Sequence, residues 1–534
     1  MSPSLIPLLP LLFQLPFLAH SSKILVIATA GSHLYAASEV ASSLVSQGHN
    51  VTLFSFLDDP HKDFTGKGFD FTALKDKEFS VGYLNEFQGT SLESMNMEST
   101  TMLMNLMIGN DMLKEAWINS QGMYLEYFTS QRAKEFFDQG NFDLVIVEEL
   151  VNFAFSSGLK HLKIPIVNLF VTSNTFHARN KAKLPWLLNS EPNMVYSAIS
   201  DDTPPSFYQR SQILYEFVRY ASFVPTFVSR LAEFSRYPIG VDDLDRSIAD
   251  VILIMDHPVL SYPYLSPPNT FYLGFFHLHN KPTQPLPDLI SKFISECPRK
   301  HIFYMSFGTF LRDIAHFKQL SSIIRSLSAA DACVIVKSSV VDLKSASPGL
   351  PATFLQLQWV PQQDLLASGA LSMFISHCGN NGRIESIYYR VPILCIPLFA
   401  DQLHNAHLVK YKKFGEYLVK EQLTESSFTA AVDGILGNRE IYKGNMERAV
   451  DYVTKDPGAG VNMLHHQIEQ LLKIGNGDHL KNKIIGEQWS YEIYNLDFLG
   501  LFFLVVLLVL ILVWKLCKAC CCCIVRHVGK EKAE

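Results

Sequence analysis

Several things are missing from this 534-residue chain, and each absence removes a class of protein. No G-x-G-x-x-G follows an apolar run, which argues against a nicotinamide oxidoreductase. No C-x-x-C pair meets a second pair at zinc spacing, so neither a structural zinc site nor any other metal centre is expected. A basic excess is lacking: 45 Lys and Arg stand against 51 Asp and Glu, a net charge of −6. A protein driven by phosphate neutralisation usually carries the opposite sign, so nucleic acid is not an expected partner. No segment of 20 to 50 residues repeats, which excludes solenoids and propellers. Charged residues are only 18%, while 48% are apolar. That balance excludes a disordered or collagen-like chain and suffices for two or three domains.

Charge is also absent from both ends. Met1 to Ala19 holds no acidic or basic residue. Prolines at 3, 7, 10 and 16 oppose a long helix there. Small residues near Ser21 suit cleavage, so 1–21 reads as a secretory signal peptide, against an uncleaved anchor or a buried first helix. Phe498 to Trp514 is 17 consecutive uncharged, almost wholly apolar residues, about 25 Å of helix and enough for a short membrane span. The tail 515–534 carries five basic and two acidic residues, or +3. With a juxtamembrane segment 481–497 on the other side, the positive-inside rule expects that tail in the cytosol. The final Lys-Glu-Lys-Ala-Glu fits a K-x-K-x-x retrieval address for the endoplasmic reticulum. Cys517 and Cys520 to Cys523 crowd the tail, where S-palmitoylation is an option. Cys297, Cys333, Cys378 and Cys395 are scattered through the body and read as separate thiols. Asn50-Val51-Thr52 is the one glycosylation sequon, at the mouth of an expected strand.

The body alternates strand and helix. Lys23 to Ala28 reads as a strand, Leu34 to Ser46 as a helix and Val51 to Phe56 as the next strand, a βαβ unit. Phe142 to Val147 and Ile164 to Phe170 are further buried strands. Residues 277–288 hold three prolines and form a linker. The alternation then restarts at Ile302–Ser306, Cys333–Lys337, Phe354–Trp359, Met373–Ser376 and Ile393–Pro397. The expected architecture is α/β: a doubly wound domain over 22–276, a second over 289–480, and a cleft at their strand ends. Six methionines between Met95 and Met112 suit either an adaptable apolar pocket or a core or membrane-apposed helix.

The densest chemistry lies between Trp359 and Gln402. A strand ends at His377; Cys378-Gly379-Asn380-Asn381-Gly382 follows and a helix begins. Its N-terminal N–H groups, with His377 and Asn381, form an anion site. Glu385, further into the helix, suits sugar hydroxyls rather than phosphate, as an acid does for ribose in dinucleotide sites. Trp359 offers a flat face for a base, and Asp401-Gln402 can hold another polyol. Base, ribose, diphosphate and hexose together describe a nucleotide-sugar site.

This stretch resembles the signature of the UDP-glycosyltransferases, in particular the UDP-glucuronosyltransferase family, and the resemblance spans both ends and both domains. It implies a GT-B fold: two facing Rossmann-like domains, here followed by one membrane helix. It also implies roles. Trp359 stacks on uracil, Gln362 lies beside the uridine and Glu385 holds the ribose. His377, Gly379 and Asn381 hold the diphosphate, Asp401 and Gln402 hold the sugar, and Ser306-Phe307-Gly308-Thr309 is the phosphate-side loop of the second domain. His33, just after the first strand, takes the position of the catalytic base, a role an imidazole can fill near neutral pH. Its carboxylate partner falls at Glu148, where the family has Asp. Other departures are Arg390 for Gly before Val391-Pro392, Ser368 for His, and Ala400 for Gly. Gly at the Arg390 position would permit positive φ or close packing.

The resemblance implies an inverting hexosyltransferase that needs no cofactor and no metal. It would move glucuronate or glucose from UDP-glucuronate or UDP-glucose to a small lipophilic acceptor, as in detoxification. Its expected place is the endoplasmic reticulum membrane, body luminal, as a homo- or hetero-oligomer. The alternative is a catalytically weak relative that binds a UDP-sugar or apolar ligand and modulates a partner enzyme.

Overall fold

The computed structural model describes residues 21–28, 31–55, 70–73, 126–127, 130–148, 159, 162–172, 206–208, 210–211, 229–230, 249–262, 266–278, 281–308, 320–338, 350–398, 401–480 and 496–531. The expected signal peptide up to residue 20, the methionine-rich segment, Glu149, Thr309 and Ala400 lie outside them. The chain forms two compact units, Met1–Leu480 and Lys481–Glu534.

The first unit contains two parallel sheets. The first comprises β1 (Lys23–Ala28), β2 (Asn50–Ser55), β3 (Asp70–Ala73), β4 (Leu144–Glu148), β5 (Ile166–Phe170), β6 (Val251–Ile254) and β7 (Thr270–Tyr272), in the order β3-β2-β1-β4-β5-β6-β7. Its strands are continuous apolar runs because both faces are covered, as parallel sheets require. Ile24, Val26 and Ala28 face α1 (Gly31–Ser46), where Leu34, Ala37, Val40, Ala41 and Leu44 are buried. Leu25 and Ile27 face the other way, onto Ala133 and Phe137 of α2 (Gln131–Gly140). The bounds of α2 are local chemistry. The Ser130 side chain accepts from Ala133 N at the start, and Asn141 takes φ 46° at the end, where Asn is tolerated in the left-handed region.

The second sheet comprises β8 (His301–Ser306), β9 (Ala332–Lys337), β10 (Phe354–Leu357), β11 (Met373–Ser376), β12 (Ile393–Cys395) and β13 (Gly415–Tyr417), in the order β10-β9-β8-β11-β12-β13. Its helices are α3 (Asp288–Ser295), α4 (Leu320–Ala329), α5 (Gln362–Ala367), α6 (Asn380–Tyr388), α7 (Gln402–Tyr411), α8 (Glu425–Gly437) and α9 (Arg439–Lys455). Phe303 and Met305 pack with Ile323, Leu327, Phe428 and Ile435, while Tyr304 faces Ile290, Leu365 and Leu366. Each fully buried side chain of this kind contributes about 1.5–3 kcal/mol. β1 and β11 match their expected bounds. β10 stops at Leu357, two residues before Trp359, where Val360-Pro361 leaves the ladder; proline has no N–H to donate.

The expectation of two doubly wound domains is met. The helix α10 (Gly460–Ile474) lies within the expected second domain, yet it folds back onto the first sheet. Leu464, Ile468 and Leu471 join the apolar core on the face of that sheet covered by α1, next to β7. His465 Nε2 lies 2.8 Å from Ser43 Oγ, and Gly477 N donates to Asp250 Oδ1 over 2.9 Å.

The cysteines of the body correct the reading of separate thiols: Cys297 pairs with Cys333 and Cys378 with Cys395. Separations of 36 and 17 residues hide this pairing from the sequence, since connectivity is set by the fold.

In the second unit, α11 (Leu496–Glu531) is a single helix. Leu496–Lys518, 23 residues with mean hydropathy 3.1, is long and apolar enough to cross a membrane. The helix runs on through most of the expected tail.

Candidate active site

In a doubly wound sheet the crevice opens where the strand order reverses, outside the carboxyl ends of the two central strands. In the first sheet these are β1 and β4. His33 sits in the first turn of α1, just beyond β1, and Glu148 is the last residue of β4. His33 Nδ1 lies 3.0 Å from Glu148 Oε1; the carboxylate is fully buried and the imidazole is 22% exposed. The longer Glu side chain therefore reaches the His33 imidazole across the switch point.

In the second sheet the reversal falls between β8 and β11. Ser306 and Ser376, their last residues, lie in register. The buried Ser306 accepts through Oγ from Gly308 N at 3.4 Å. His377 comes next after β11, and its imidazole lies between two glycines. A Cβ on Gly308, whose φ is +85°, would come within 2.8 Å of it, and one on Gly379 within 2.7 Å. Burial, helped by Lys337, lowers the His377 pKa to about 4, so the ring is neutral at physiological pH. Gly379 is the N-cap of α6 and has no side chain to cap the helix. The half-buried Asn381 lies in its first turn, where backbone N–H groups lack intrahelical partners.

Glu385 is buried on the same helix, and both its oxygens are engaged. Gln362 Nε2 donates to Oε2 at 2.5 Å, and Gln363 Nε2 donates to Oε1 at 3.0 Å. Gln362 is also fixed through Oε1, which accepts from Tyr304 OH at 3.1 Å. Burial raises the Glu385 pKa, and the two amides oppose that shift. Trp359 is 67% exposed, and Lys337 Nζ lies 4.5 Å from its ring centre. A cation thus stands on the indole that the sequence assigns to the base.

Asp401 and Gln402 open α7. Gln402 Oε1 accepts from Leu398 N at 2.8 Å, and Asp401 accepts from Asn405 Nδ2 at 2.7 Å. Burial raises the Asp401 pKa, and the Asn405 hydrogen bond and the nearby His33 oppose this. The candidate base of the first sheet and the candidate sugar-binding acid of the second therefore feel one another. Asn50, the sequon asparagine, opens β2 and is exposed.

Four contributors escaped the sequence reading: Lys337, Tyr35, Gln363 and Lys281. Tyr35 OH accepts from Lys281 Nζ at 2.9 Å and from Gln363 Nε2 at 3.3 Å, and Lys281 also pairs with Glu39 at 3.2 Å. This links α1, the linker and α5. Lys337 had one legible signal, a cation ending an otherwise apolar strand.

Comparisons with known proteins agree with this geometry. A family profile described as "UDP-glucoronosyl and UDP-glucosyl transferase" matches residues 22–531. Human UDP-glucuronosyltransferase 1A9 is 23% identical, with 93% of this chain and 92% of that protein aligned. UDP-glycosyltransferase UGT4 of Dactylopius coccus is 24% identical over 94% and 95%. Among solved structures, the glycosyltransferase of kitacinnamycin superposes with a TM-score of 0.57 at 16% identity, over 85% of this chain and 99% of that one. Glycosyltransferase VinC, solved in complex with DTDP, gives 0.55 at 16% identity, over 85% and 100%. The architecture is thus the GT-B fold, and the chain belongs to the UDP-glucuronosyl and UDP-glucosyl transferase family.

Proposed function

We propose that this protein transfers a hexose, glucuronate or glucose, from its UDP conjugate to a hydroxyl of a small lipophilic acceptor. The carrying observation is the 3.0 Å approach of His33 to Glu148 at one switch point, facing the glycine-lined start of α6 at the other. With Nδ1 turned to Glu148, Nε2 is left to take the acceptor proton. Glu148 orients the ring and stabilises the imidazolium, as a triad carboxylate does. The acceptor oxygen attacks the anomeric carbon from the face opposite UDP, and one displacement inverts the configuration.

The leaving diphosphate falls to the N-terminus of α6, Asn381, His377, Gly379, the Ser306–Thr309 loop and Lys337, an electrostatic stabilisation of developing charge that needs no metal in this scheme. Trp359 receives the uracil as Lys337 moves to phosphate. Gln362 and Glu385 take the uridine ribose, and Asp401 and Gln402 take the hexose. The relatives' names and the DTDP complex of VinC support a nucleoside-diphosphate sugar as donor. α11 supports a membrane anchor. The two disulfides suit an oxidising lumen, so we place the body in the endoplasmic reticulum lumen, where Asn50 can be glycosylated.

The test incubates membranes carrying the full chain with radiolabelled UDP-glucuronate or UDP-glucose and a panel of phenols. A glycoside formed by the wild type and absent with His33→Ala supports the reading. Wild-type activity in His33→Ala overturns the base. Measurable UDP binding with no product from any donor favours the weak relative that modulates a partner.

A further inference from the structure

The donor groups and the base belong to different domains. Trp359, Gln362, His377 and Glu385 ride on the second sheet, whereas His33 and Glu148 ride on the first. Tyr35, held by Gln363 and by Lys281 of the linker, joins the domains at one place. A second junction is fully buried and centres on one helix, α6.

Arg383 on α6 and Asp256, two residues after β6, are both fully buried, and Arg383 Nη2 lies 3.1 Å from Asp256 Oδ2. The same guanidinium donates through Nη1 to Leu260 O at 2.8 Å. Through Nε and Nη2 it donates to Asn380 Oδ1 at 3.3 and 2.7 Å. Asn380 completes the bridge. Its Nδ2 donates to Val171 O, just past β5, at 2.9 Å and to Met255 O, just past β6, at 3.1 Å. Around this centre the segment 256–261 is seated in the second domain. His257 Nε2 lies 3.0 Å from Asp456 Oδ2, Lys412 Nζ donates to Pro258 O at 3.2 Å, and Leu260 packs with Ile384 and Ile387.

Helical geometry makes this arrangement more than interface glue. Residues two apart on a helix point to nearly opposite sides, and residues three or four apart share a side. Asn381 and Glu385 therefore form one side of α6, and Asn380 and Arg383 form another. One short helix offers its first side to the donor and its second to the domain that carries the base.

We propose that Arg383, with Asn380, is a positioning residue for transfer. It fixes the start of α6 to the strand ends of the first sheet, so that a donor held by the second domain meets His33 at a set distance. The inference rests on the glycosyl-transfer reading and names a residue that acts through α6, without touching donor or acceptor.

Removing Arg383 alone leaves Asp256 buried and unpaired, which can unfold the protein; replacing both partners with apolar residues is often neutral for stability. The test therefore uses Arg383→Leu/Asp256→Leu and Arg383→Lys in the full membrane-bound chain. A displacement of about 1 Å between reacting groups costs on the order of 100-fold in rate. We expect kcat of the double variant to fall about 10- to 100-fold while the UDP dissociation constant stays within about threefold, a split a misfolded donor site would not give. Arg383→Lys, which keeps charge but not the fork, should fall between them. Wild-type kcat in the double variant, or loss of UDP affinity in step with kcat, overturns the proposal. A second arm needs no turnover. Addition of UDP should slow amide exchange in 256–261 as well as in 377–388 of the wild type, and only in 377–388 of the double variant. Unchanged exchange in 256–261 of the wild type also overturns it. A wild type that transfers no sugar sinks the transfer reading, and the exchange arm still decides the lock.

Discussion

His33 Nδ1 lies 3.0 Å from Glu148 Oε1, and the two residues come from neighbouring strand ends, 115 positions apart. In the proposed mechanism the pair is a base and its orienting acid. Glu148→Gln keeps shape and removes the charge that stabilises the imidazolium. We expect kcat to fall about 10²- to 10⁴-fold, the range spanned by general-base and triad carboxylate losses, with UDP binding unchanged. Glu148→Asp shortens the reach by one methylene and should lose less. Steady-state transfer rates alongside calorimetric UDP titration check both.

Trp359 is exposed beneath Lys337. Replacing it with Leu removes a stacking platform worth about 1–3 kcal/mol per base, so UDP affinity should fall roughly 5- to 150-fold. Lys337→Met should also weaken UDP and flatten the salt dependence of binding, because the proposed phosphate cation is lost. Titration of UDP at several ionic strengths distinguishes the two effects.

Arg390 holds φ +57° at the end of α6. Arg390 N donates to Ile387 O at 3.1 Å and Val391 N to Ser386 O at 2.9 Å, the hydrogen bonds of a Schellman stop, whose usual left-handed residue is glycine. Its guanidinium offsets part of the cost by donating to Tyr388 O at 2.8 Å. Arg390→Gly should stabilise the protein by up to about 1 kcal/mol, read as a higher melting temperature with transfer kinetics unchanged.

His277, buried at the start of the linker, has its pKa lowered to about 4 by burial. The unfolded chain then binds the proton that the fold refuses. Its contribution to stability is whole above pH 6.5 and is lost as pH falls from 6.5 toward 4. His377 acts in the same direction and the raised Glu385 and Asp401 act against it. His277→Leu isolates one share: its melting temperature should fall less than the wild type's between pH 6.5 and 4.5, with the two curves parallel above pH 7. Parallel curves throughout would remove His277 from the account.

What the sequence disclosed follows the range of the interactions involved. The strands β1 and β11 are legible because burial on both faces writes an unbroken apolar run. His33 and Glu148 are legible through the family resemblance, and the place of each beside such a run, where a doubly wound sheet opens, agrees with it. The Gly379–Glu385 motif is local and reads as a unit. Arg390 is legible as a departure, and its backbone angle bears out the first of the two reasons for glycine, positive φ. Lys337, Tyr35 and Gln363 carry no local pattern; they matter because three separate elements converge. Asp256 and Arg383 are 127 positions apart, and a lone Arg in a helix reads as surface. The disulfides escaped for the same reason, and α10 read as second domain because periodicity records that a helix has an apolar face without recording which sheet it covers.

The return of α10 to the first sheet has a practical consequence for dissecting the molecule. The chain passes between the halves twice, once at the linker and again before residue 460, so the half that holds His33 is not a continuous piece. A fragment ending at 276 would lack Leu464, Ile468 and Leu471, and with them part of the apolar core that Leu273 and Phe276 belong to. A single cut in the linker would leave the two pieces still entangled through α10. Swapping the donor half between relatives therefore requires a splice at two points, with residues 460–474 kept with the half that holds His33.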